Sequence, residues 1–144
     1  MEYKLERLLN TNELCSYLCK VDSDFGVPLS SKVSIESFSE KLLTHGYVFV
    51  VKENNNIISC IGFYCNDYSN YTAYLPILST TERARGKGLA RLLVNRMIEE
   101  CTKRGMKKIL CDSINPHAIE LYKSVGFIEY KRDEYKSFLK FIVR

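Results

Sequence analysis

The most constraining feature of this chain is a glycine-rich segment at residues 85–90, Arg-Gly-Lys-Gly-Leu-Ala, which leads directly into an amphipathic helical pattern. Two glycines at alternate positions leave backbone N–H groups uncovered by a Cβ where the helix begins, and helix N-termini attract anions. Four cations lie within the nine residues 83–91, namely Arg83, Arg85, Lys87 and Arg91. The segment therefore predicts an anion-binding site at the start of a helix.

Two common phosphate motifs do not fit this segment. A nucleotide P-loop needs a glycine five residues before its Gly-Lys pair and a serine or threonine after the lysine. Here Thr81 stands five residues before Gly86, and Gly88 follows the lysine. A dinucleotide fingerprint needs a small residue three positions after the second glycine, and that position holds Arg91. The spacing excludes both motifs.

The pattern that fits is Arg/Gln-x-x-Gly-x-Gly/Ala, and with it the chain resembles the GNAT acetyltransferase superfamily. In that superfamily this loop binds the pyrophosphate of acetyl-CoA. The resemblance implies that the cofactor-binding loop consists of Arg85, Gly86, Lys87, Gly88, Leu89 and Ala90.

A second segment of the same resemblance lies downstream, where residues 115–127 match Asn-x-x-Ala-x-x-x-Tyr-x-x-x-Gly-Phe. In the superfamily the asparagine and the tyrosine of this segment face the cofactor, which implies that role for Asn115 and Tyr122. Asn115 lies 25 positions after Ala90, enough for one helix and one strand. The resemblance covers residues 71–130 well and residues 1–70 only in the order of elements.

Length and composition bound the class of protein. A chain of 144 residues, 46% of them hydrophobic, is the size of one domain, and we expect a single domain over residues 1–144. The six cysteines form no Cys-x-x-Cys pair and the chain has only two histidines, so no metal site is expected. We expect the cysteines to be free thiols in a reducing cytosol.

The expected partners follow from charge and hydropathy. No stretch has the apolar length of a membrane span and the N-terminus opens on charged residues, so we expect a cytoplasmic protein that is not bound to a membrane. Two clusters of cations, at residues 83–91 and 103–108, are compatible with the binding of nucleic acid. A polyanionic cofactor explains the same charge without any nucleic-acid motif, so no nucleic-acid partner is expected. We expect a monomer or a homodimer.

Periodicity predicts the element order β-α-α-β-β-β-α-β-α-β-β, a mixed, mostly antiparallel sheet flanked by helices. This order coincides with that of the GNAT fold. Pro76 predicts a break in the pairing of the third β-rich run after the helices, because proline cannot donate to the ladder. Asn10 and Glu13 predict a capping box. Asn115 with Pro116 predicts the start of the last helix, and Gly126 predicts its end at Val125. The predicted strands are 3–8, 47–52, 57–65, 71–78, 108–112, 127–131 and 137–143.

The resemblance also assigns chemistry to individual residues. It implies that the backbone at Leu78 and Thr80 pairs with the pantetheine arm, where a main-chain N–H faces the thioester carbonyl. It implies that Tyr122 protonates the coenzyme A thiolate. The residues themselves leave alternatives open: Tyr122 lies on an apolar helical stripe typical of a core aromatic, Asn115 is explained as a helix cap, and Arg85 as a surface charge.

No general base is assigned. Three carboxylates near predicted strand ends beside the site are candidates for a base that acts through water, but none matches a motif position: Glu82, Asp67 and Asp112. The loop that contains Asp22, Asp24 and Phe25 either lines the acceptor pocket, where its carboxylates attract a cationic amine, or is simply solvated.

The resulting hypothesis is an acetyl-CoA-dependent N-acetyltransferase that acetylates a primary amine of a small molecule, such as an amino sugar, by direct attack on the thioester. Two alternatives stay open at this point. One is an enzyme that acetylates a protein or peptide, and the other is a non-catalytic module that binds coenzyme A as a sensor. Fold alone does not decide the substrate.

Overall fold

In the computed structural model, which describes residues 3–144, seven strands form one sheet in the order β1-β2-β3-β4-β5-β7-β6. The strands are β1 (Lys4–Arg7), β2 (Tyr47–Glu53), β3 (Asn56–Asp67), β4 (Thr72–Thr80), β5 (Lys108–Ser113), β6 (Ile128–Asp133) and β7 (Lys136–Ile142). The helices are α1 (Thr11–Val21), α2 (Ile35–His45), α3 (Leu89–Lys103) and α4 (Pro116–Val125). The predicted element order and mixed α/β class are confirmed.

The first helix begins as predicted, with one difference in its cap. The Glu13 backbone N–H donates to Asn10 Oδ1 at 3.0 Å, which is the N-cap bond. The Glu13 carboxylate, which a capping box would turn back to the Asn10 backbone, instead lies 2.8 Å from Lys52 Nζ on β2. An ion pair with the sheet therefore competes for the side chain that the local motif would use.

The sheet separates two apolar clusters. Helices α1 and α2 cover one face through Leu14, Leu18 and Leu42, all fully buried against strands β2 to β4. Helices α3 and α4 cover the other face, where Leu93, Met97 and the α4 residue Tyr122 pack against a larger cluster. We refer to these as the α1/α2 face and the α3/α4 face.

Pro76 lies at an irregularity of β4, which confirms the predicted break in pairing. The β3–β4 register shifts between Gly62, which pairs with Ile77, and Tyr64, which pairs with Tyr74. Leu75 belongs to the cluster on the α3/α4 face, whereas Ile77, two residues on, belongs to the α1/α2 cluster. Residues two apart in a regular strand share a face, so the irregularity reverses the side-chain alternation of β4.

Strands β4 and β5 are the parallel pair of the sheet, and they pair only from Thr72–Lys108 to Leu75–Cys111. Beyond Leu75, β4 continues to Thr80 paired with β3 alone. Beyond Cys111, β5 continues through residues 112–113 paired with β7 alone. The two strands separate here, and we call the gap between residues 76–80 of β4 and residues 112–113 of β5 the fork.

Candidate active site

The edge of β4 that borders the fork carries unpaired backbone groups. The Thr81 N–H donates to the Ile58 carbonyl of β3 at 2.9 Å. In an antiparallel ladder the residues that bond to one neighbour alternate along the strand. The register is regular from Ile77 to Thr80, so Leu78 and Thr80 direct their N–H and C=O groups away from β3 and toward the fork. This is the edge that the resemblance to the superfamily assigns to pantetheine.

The glycine loop follows this edge and leads into α3. Gly86 and Gly88 have φ values of +79° and +78°, a left-handed conformation that favours glycine, and no atom lies within 4 Å of the position of an added Cβ at either residue. Gly88 is the N-cap of α3 and supplies no side-chain bond to the first-turn N–H groups. These N–H groups stay available to an anion, which is the arrangement that the pyrophosphate of coenzyme A requires.

The remaining loop residues divide into anchors and exposed cations. Leu89 is buried, with 4% of its surface exposed, and fastens the loop to the α3/α4 core, while Ala90 is half-buried. Lys87 is exposed, and its Nζ lies 5.9 Å from the centre of the Tyr3 ring. Arg85 is exposed as well, and its Nε donates to the Thr80 carbonyl at 3.1 Å. That bond ties the loop to the free edge of β4.

Helix α4 starts on the other side of the fork. The His117 N–H donates to Asn115 Oδ1 at 2.9 Å, so Asn115 is the predicted N-cap. The Asn115 N–H in turn donates to Ser113 Oγ at 3.0 Å. Gly126, at φ +116°, ends the helix as predicted. The cap holds the start of α4 against the last residue of β5.

Tyr122 lies on the buried side of α4 and is 4% exposed. Its ring centre is 5.4 Å from that of Phe127. Burial raises the pKa of the Tyr122 phenol well above its ordinary value, and the nearby Cys111, Asp112 and Tyr74 raise it further. Tyr74 and Cys111 belong to the paired ends of β4 and β5, and Asp112 is the next residue of β5, so Tyr122 faces the base of the fork.

A pair of polar side chains lies at the same point on the opposite face. The Tyr74 hydroxyl donates to Asp112 Oδ2 at 3.2 Å, and Lys136 Nζ lies 3.9 Å from Asp112 Oδ1. Burial, followed by the negative charge of Asp112, raises the pKa of Tyr74 to about 12. No motif in the sequence signals this pair, because it forms only through the pairing of β4 with β5.

The three carboxylates considered as bases occupy different places. Asp67 Oδ1 accepts the N–H groups of Ser69 and Asn70, both at 3.1 Å, in the turn at the far end of β4. Glu82 is exposed in the short turn between β4 and the glycine loop. Asp112 alone of the three borders the fork.

The connection between α1 and α2 crosses the fork on the α1/α2 face. A Cβ at Gly26 would lie 2.7 Å from Ile114 Cδ1, so the connection touches the residue that follows β5. Asp24 Oδ2 lies 3.8 Å from an Arg85 guanidinium nitrogen, which joins the connection to the glycine loop. Asp22 accepts bonds from the N–H and hydroxyl of Ser30 and shapes the connection itself.

Within residues 3–144, no three histidine, cysteine, aspartate or glutamate side chains come together as a group that would hold a metal ion. All six cysteines are free thiols, and four of them are buried. None of the helices in this part of the chain is long and apolar enough to cross a membrane.

Comparison with known sequences identifies the family. Residues 13–127 match the model of the acetyltransferase (GNAT) family. A stretch of 54 residues is 37% identical to the acetyltransferase Atu2258 of Agrobacterium fabrum, and the stretch is 38% of this chain and 39% of that protein.

Solved structures of acetyltransferases have the same fold as this chain. The ribosomal-protein-S18-alanine N-acetyltransferase of Escherichia coli superposes with a TM-score of 0.80 at 19% identity, covering 99% of this chain and 94% of that one. A chain of the NatC complex bound to Gag peptide and CoA superposes with a TM-score of 0.82 at 22% identity and full coverage of both chains. With the family model matching most of its length, this chain belongs to the acetyltransferase (GNAT) family, whose members are acyltransferases that use acetyl-CoA.

Proposed function

We propose that this protein transfers the acetyl group of acetyl-CoA to a primary amine of a small molecule. The observation that carries the proposal is the fork, which has a free strand edge along β4, the open glycine loop beyond the end of that edge and the buried Tyr122 near its base. Acetyl-CoA supplies an acetyl group activated as a thioester.

The chain holds the two ends of this cosubstrate in different ways. The N–H groups at Gly86, Gly88 and Leu89 and the dipole of α3 bind the pyrophosphate, with the exposed Arg85 and Lys87 beside them. Three charge-assisted hydrogen bonds and the dipole contribute about 5 to 10 kcal/mol before association costs. Micromolar affinity needs about 8 kcal/mol net, so the loop falls short alone.

The free edge of β4 supplies the remaining binding free energy. Leu78 and Thr80 face the fork with both backbone donors and acceptors, and an extended pantetheine arm adds to this edge like a strand. Part of the acceptor capacity of Thr80 is taken by Arg85, so the donors of the two residues are the more available groups. Asn115, across the fork, orients the start of α4 and borders the same cosubstrate.

Tyr122 is the proton donor in this proposal. The raised pKa of Tyr122 keeps its phenol protonated at neutral pH. A protonated phenol can donate a proton but cannot accept one as a general base. A thiol has a pKa near 8.5, so the raised value also makes proton transfer to a thiolate less favourable. We therefore expect Tyr122 to donate its proton as the carbon–sulfur bond breaks and the carbon–nitrogen bond forms. The proton that the new amide nitrogen releases restores the phenol through water.

The connection between α1 and α2 limits the size of the acceptor. Its contact between Gly26 and Ile114 and its ion pair between Asp24 and Arg85 lie across the α1/α2 side of the fork. This arrangement narrows the approach to the thioester from that face and favours a small amine.

A polypeptide acceptor is the second candidate. Two structural neighbours favour it, since one is a ribosomal-protein-S18-alanine N-acetyltransferase and the other belongs to a complex that is bound to a Gag peptide. The test is release of coenzyme A thiol from acetyl-CoA with a panel of small amines and short peptides with free N-termini. Turnover of small amines alone supports the proposal, and turnover of peptides alone supports the second candidate. A folded protein that binds acetyl-CoA without turnover would be a sensor instead.

A further inference from the structure

The fork has a charged group on its acceptor side that the proposed function does not yet use. Asp112 is the first residue of β5 beyond its pairing with β4. Neighbouring Cys111 belongs to the α3/α4 cluster, so strand alternation directs Asp112 to the opposite, α1/α2 face. Tyr74, between Ala73 and Leu75 of the same cluster, points to that face as well. The carboxylate therefore faces the side from which the acceptor approaches.

One oxygen of the Asp112 carboxylate accepts a hydrogen bond, and the other has no hydrogen bond from its nearest cation. The Tyr74 hydroxyl holds Oδ2 at 3.2 Å. The partner of Oδ1 is the alkylammonium of Lys136 at 3.9 Å, a distance too long for a hydrogen bond. The Lys136 side chain is 45% exposed and sits on a flexible stem. Oδ1 of Asp112 thus faces the weakly held ammonium group of Lys136, which the ammonium group of a bound amine can displace.

The difference in basicity between carboxylates and amines decides whether Asp112 acts as a base or as a binding group. Carboxylates are weaker bases than alkylamines by about six pKa units, so taking a proton from an ammonium is strongly unfavourable for such a group. Attraction of an ammonium by a carboxylate is favourable at once, and more so near a partly buried site than in water. Binding is therefore the role that the chemistry supports, and the free amine forms by loss of a proton to solvent.

We propose that Asp112, positioned by Tyr74, binds the ammonium form of the acceptor amine at the fork and makes this enzyme selective for cationic amines. The inference rests on the proposed function. Asp112 sets substrate affinity, Tyr74 acts through it as a positioning residue, and Lys136 is a competing internal cation.

The test compares acceptors of different charge at pH 7.5. Spermidine and tyramine are protonated there, whereas hydroxylamine is neutral. Thiol release is followed for each after subtraction of the enzyme-free rate, because hydroxylamine also cleaves thioesters by itself. Asp112→Asn should raise KM for the two cationic amines about 10- to 100-fold, the range for a lost charged hydrogen bond, with kcat within about threefold. KM for hydroxylamine should stay within about twofold.

Two further variants sharpen the test. Lys136→Met should lower KM for the cationic amines, because it removes the competing ammonium. Tyr74→Phe keeps the ring, loosens Asp112 and should raise the same KM by about three- to tenfold without affecting hydroxylamine. The control is Glu99→Gln, which removes a carboxylate on α3 whose side chain is 76% exposed, and it should change KM for neither class of acceptor.

The outcomes separate this inference from the proposed function. Equal losses of kcat with cationic amines and hydroxylamine in Asp112→Asn would overturn the inference, as would a raised KM in Lys136→Met, which would point to an anionic acceptor. A wild-type protein that releases no thiol above the enzyme-free rate with any of the three amines would overturn the proposed function. An acetyl-CoA-induced rise in the melting temperature of Asp112→Asn shows that this variant is folded.

Discussion

Gly88 and Gly105 flank the same helix, α3, with almost the same backbone: φ is +78° at the first and +81° at the second, and at neither would an added Cβ meet another atom within 4 Å. The two positions differ in what surrounds them. Gly88 precedes the first turn, where N–H groups are free, and Gly105 follows the last turn, where the Gly105 N–H donates to the Thr102 carbonyl at 3.1 Å. They form a matched pair for mutation.

Gly88→Ala and Gly105→Ala should each destabilise the fold by about 1 to 2 kcal/mol, because both force an alanine into the left-handed region. Only Gly88→Ala should weaken acetyl-CoA binding, by about tenfold or more, because its methyl group occupies the open space in front of the first turn of α3, where the pyrophosphate is proposed to bind. Calorimetric titration and denaturant unfolding measure the two effects. Equal affinities in the two variants would show that the loop does not contact phosphate.

Acetyl-CoA should raise the melting temperature, since a ligand that binds only the folded state stabilises it. At a concentration 100-fold above Kd the gain is about 2.7 kcal/mol, or about 5 to 10 °C for a domain of this size. Thermal scans with acetyl-CoA, and with NADH and ATP as controls, measure it. No shift at millimolar acetyl-CoA would argue against the cofactor assignment for this chain.

Tyr122→Phe should lower kcat by about 10²- to 10⁴-fold, the usual range for a lost general acid. Acetyl-CoA affinity and stability should change little, because the ring still packs against Phe127. Tyr130→Phe on β6, where the ring is 48% exposed, is the control. A Tyr122→Phe enzyme that retains more than half of the wild-type turnover, with chemistry rate-limiting, would leave this residue a purely structural one.

The pH dependence of stability should report on Glu129. Arg132 donates to its carboxylate at 3.1 and 2.9 Å, with Lys123 Nζ 3.3 Å away, and these contacts lower the pKa of Glu129 to about 2 from an ordinary value near 4.5. A lowered folded-state pKa gives stability that is complete above the unfolded-state value and is lost as pH falls through the folded one.

The measurement is the difference in unfolding free energy between wild type and Glu129→Gln. The difference should be constant above pH 5 and shrink as the pH falls from about 4.5 to 2. Glu99→Gln, at a side chain that is 76% exposed, should show little difference at any pH. A Glu129 difference that persists unchanged at pH 2 would contradict the assigned contacts.

Features that depend only on neighbouring residues could be predicted from the amino-acid sequence. Asn10 and Asn115 cap their helices through N–H groups two or three residues away, Gly126 ends α4 in the left-handed region, and Pro76 interrupts the ladder because it has no N–H. The glycine loop at the start of α3 belongs here as well. Short-range steric and hydrogen-bonding rules apply wherever the chain folds, so they can be read from a local pattern.

Contacts between side chains that are distant in the sequence could not be predicted in this way. Tyr74 and Asp112 are 38 positions apart, and Tyr17 reaches Ser79, 62 positions away, at 3.0 Å. The local pattern also failed at Glu13, whose carboxylate pairs with Lys52 instead of the cap. Such contacts depend on strand register and on where β4 and β5 separate. The parallel pairing of two strands across a helix fixes that point, and no pattern of neighbouring residues specifies it.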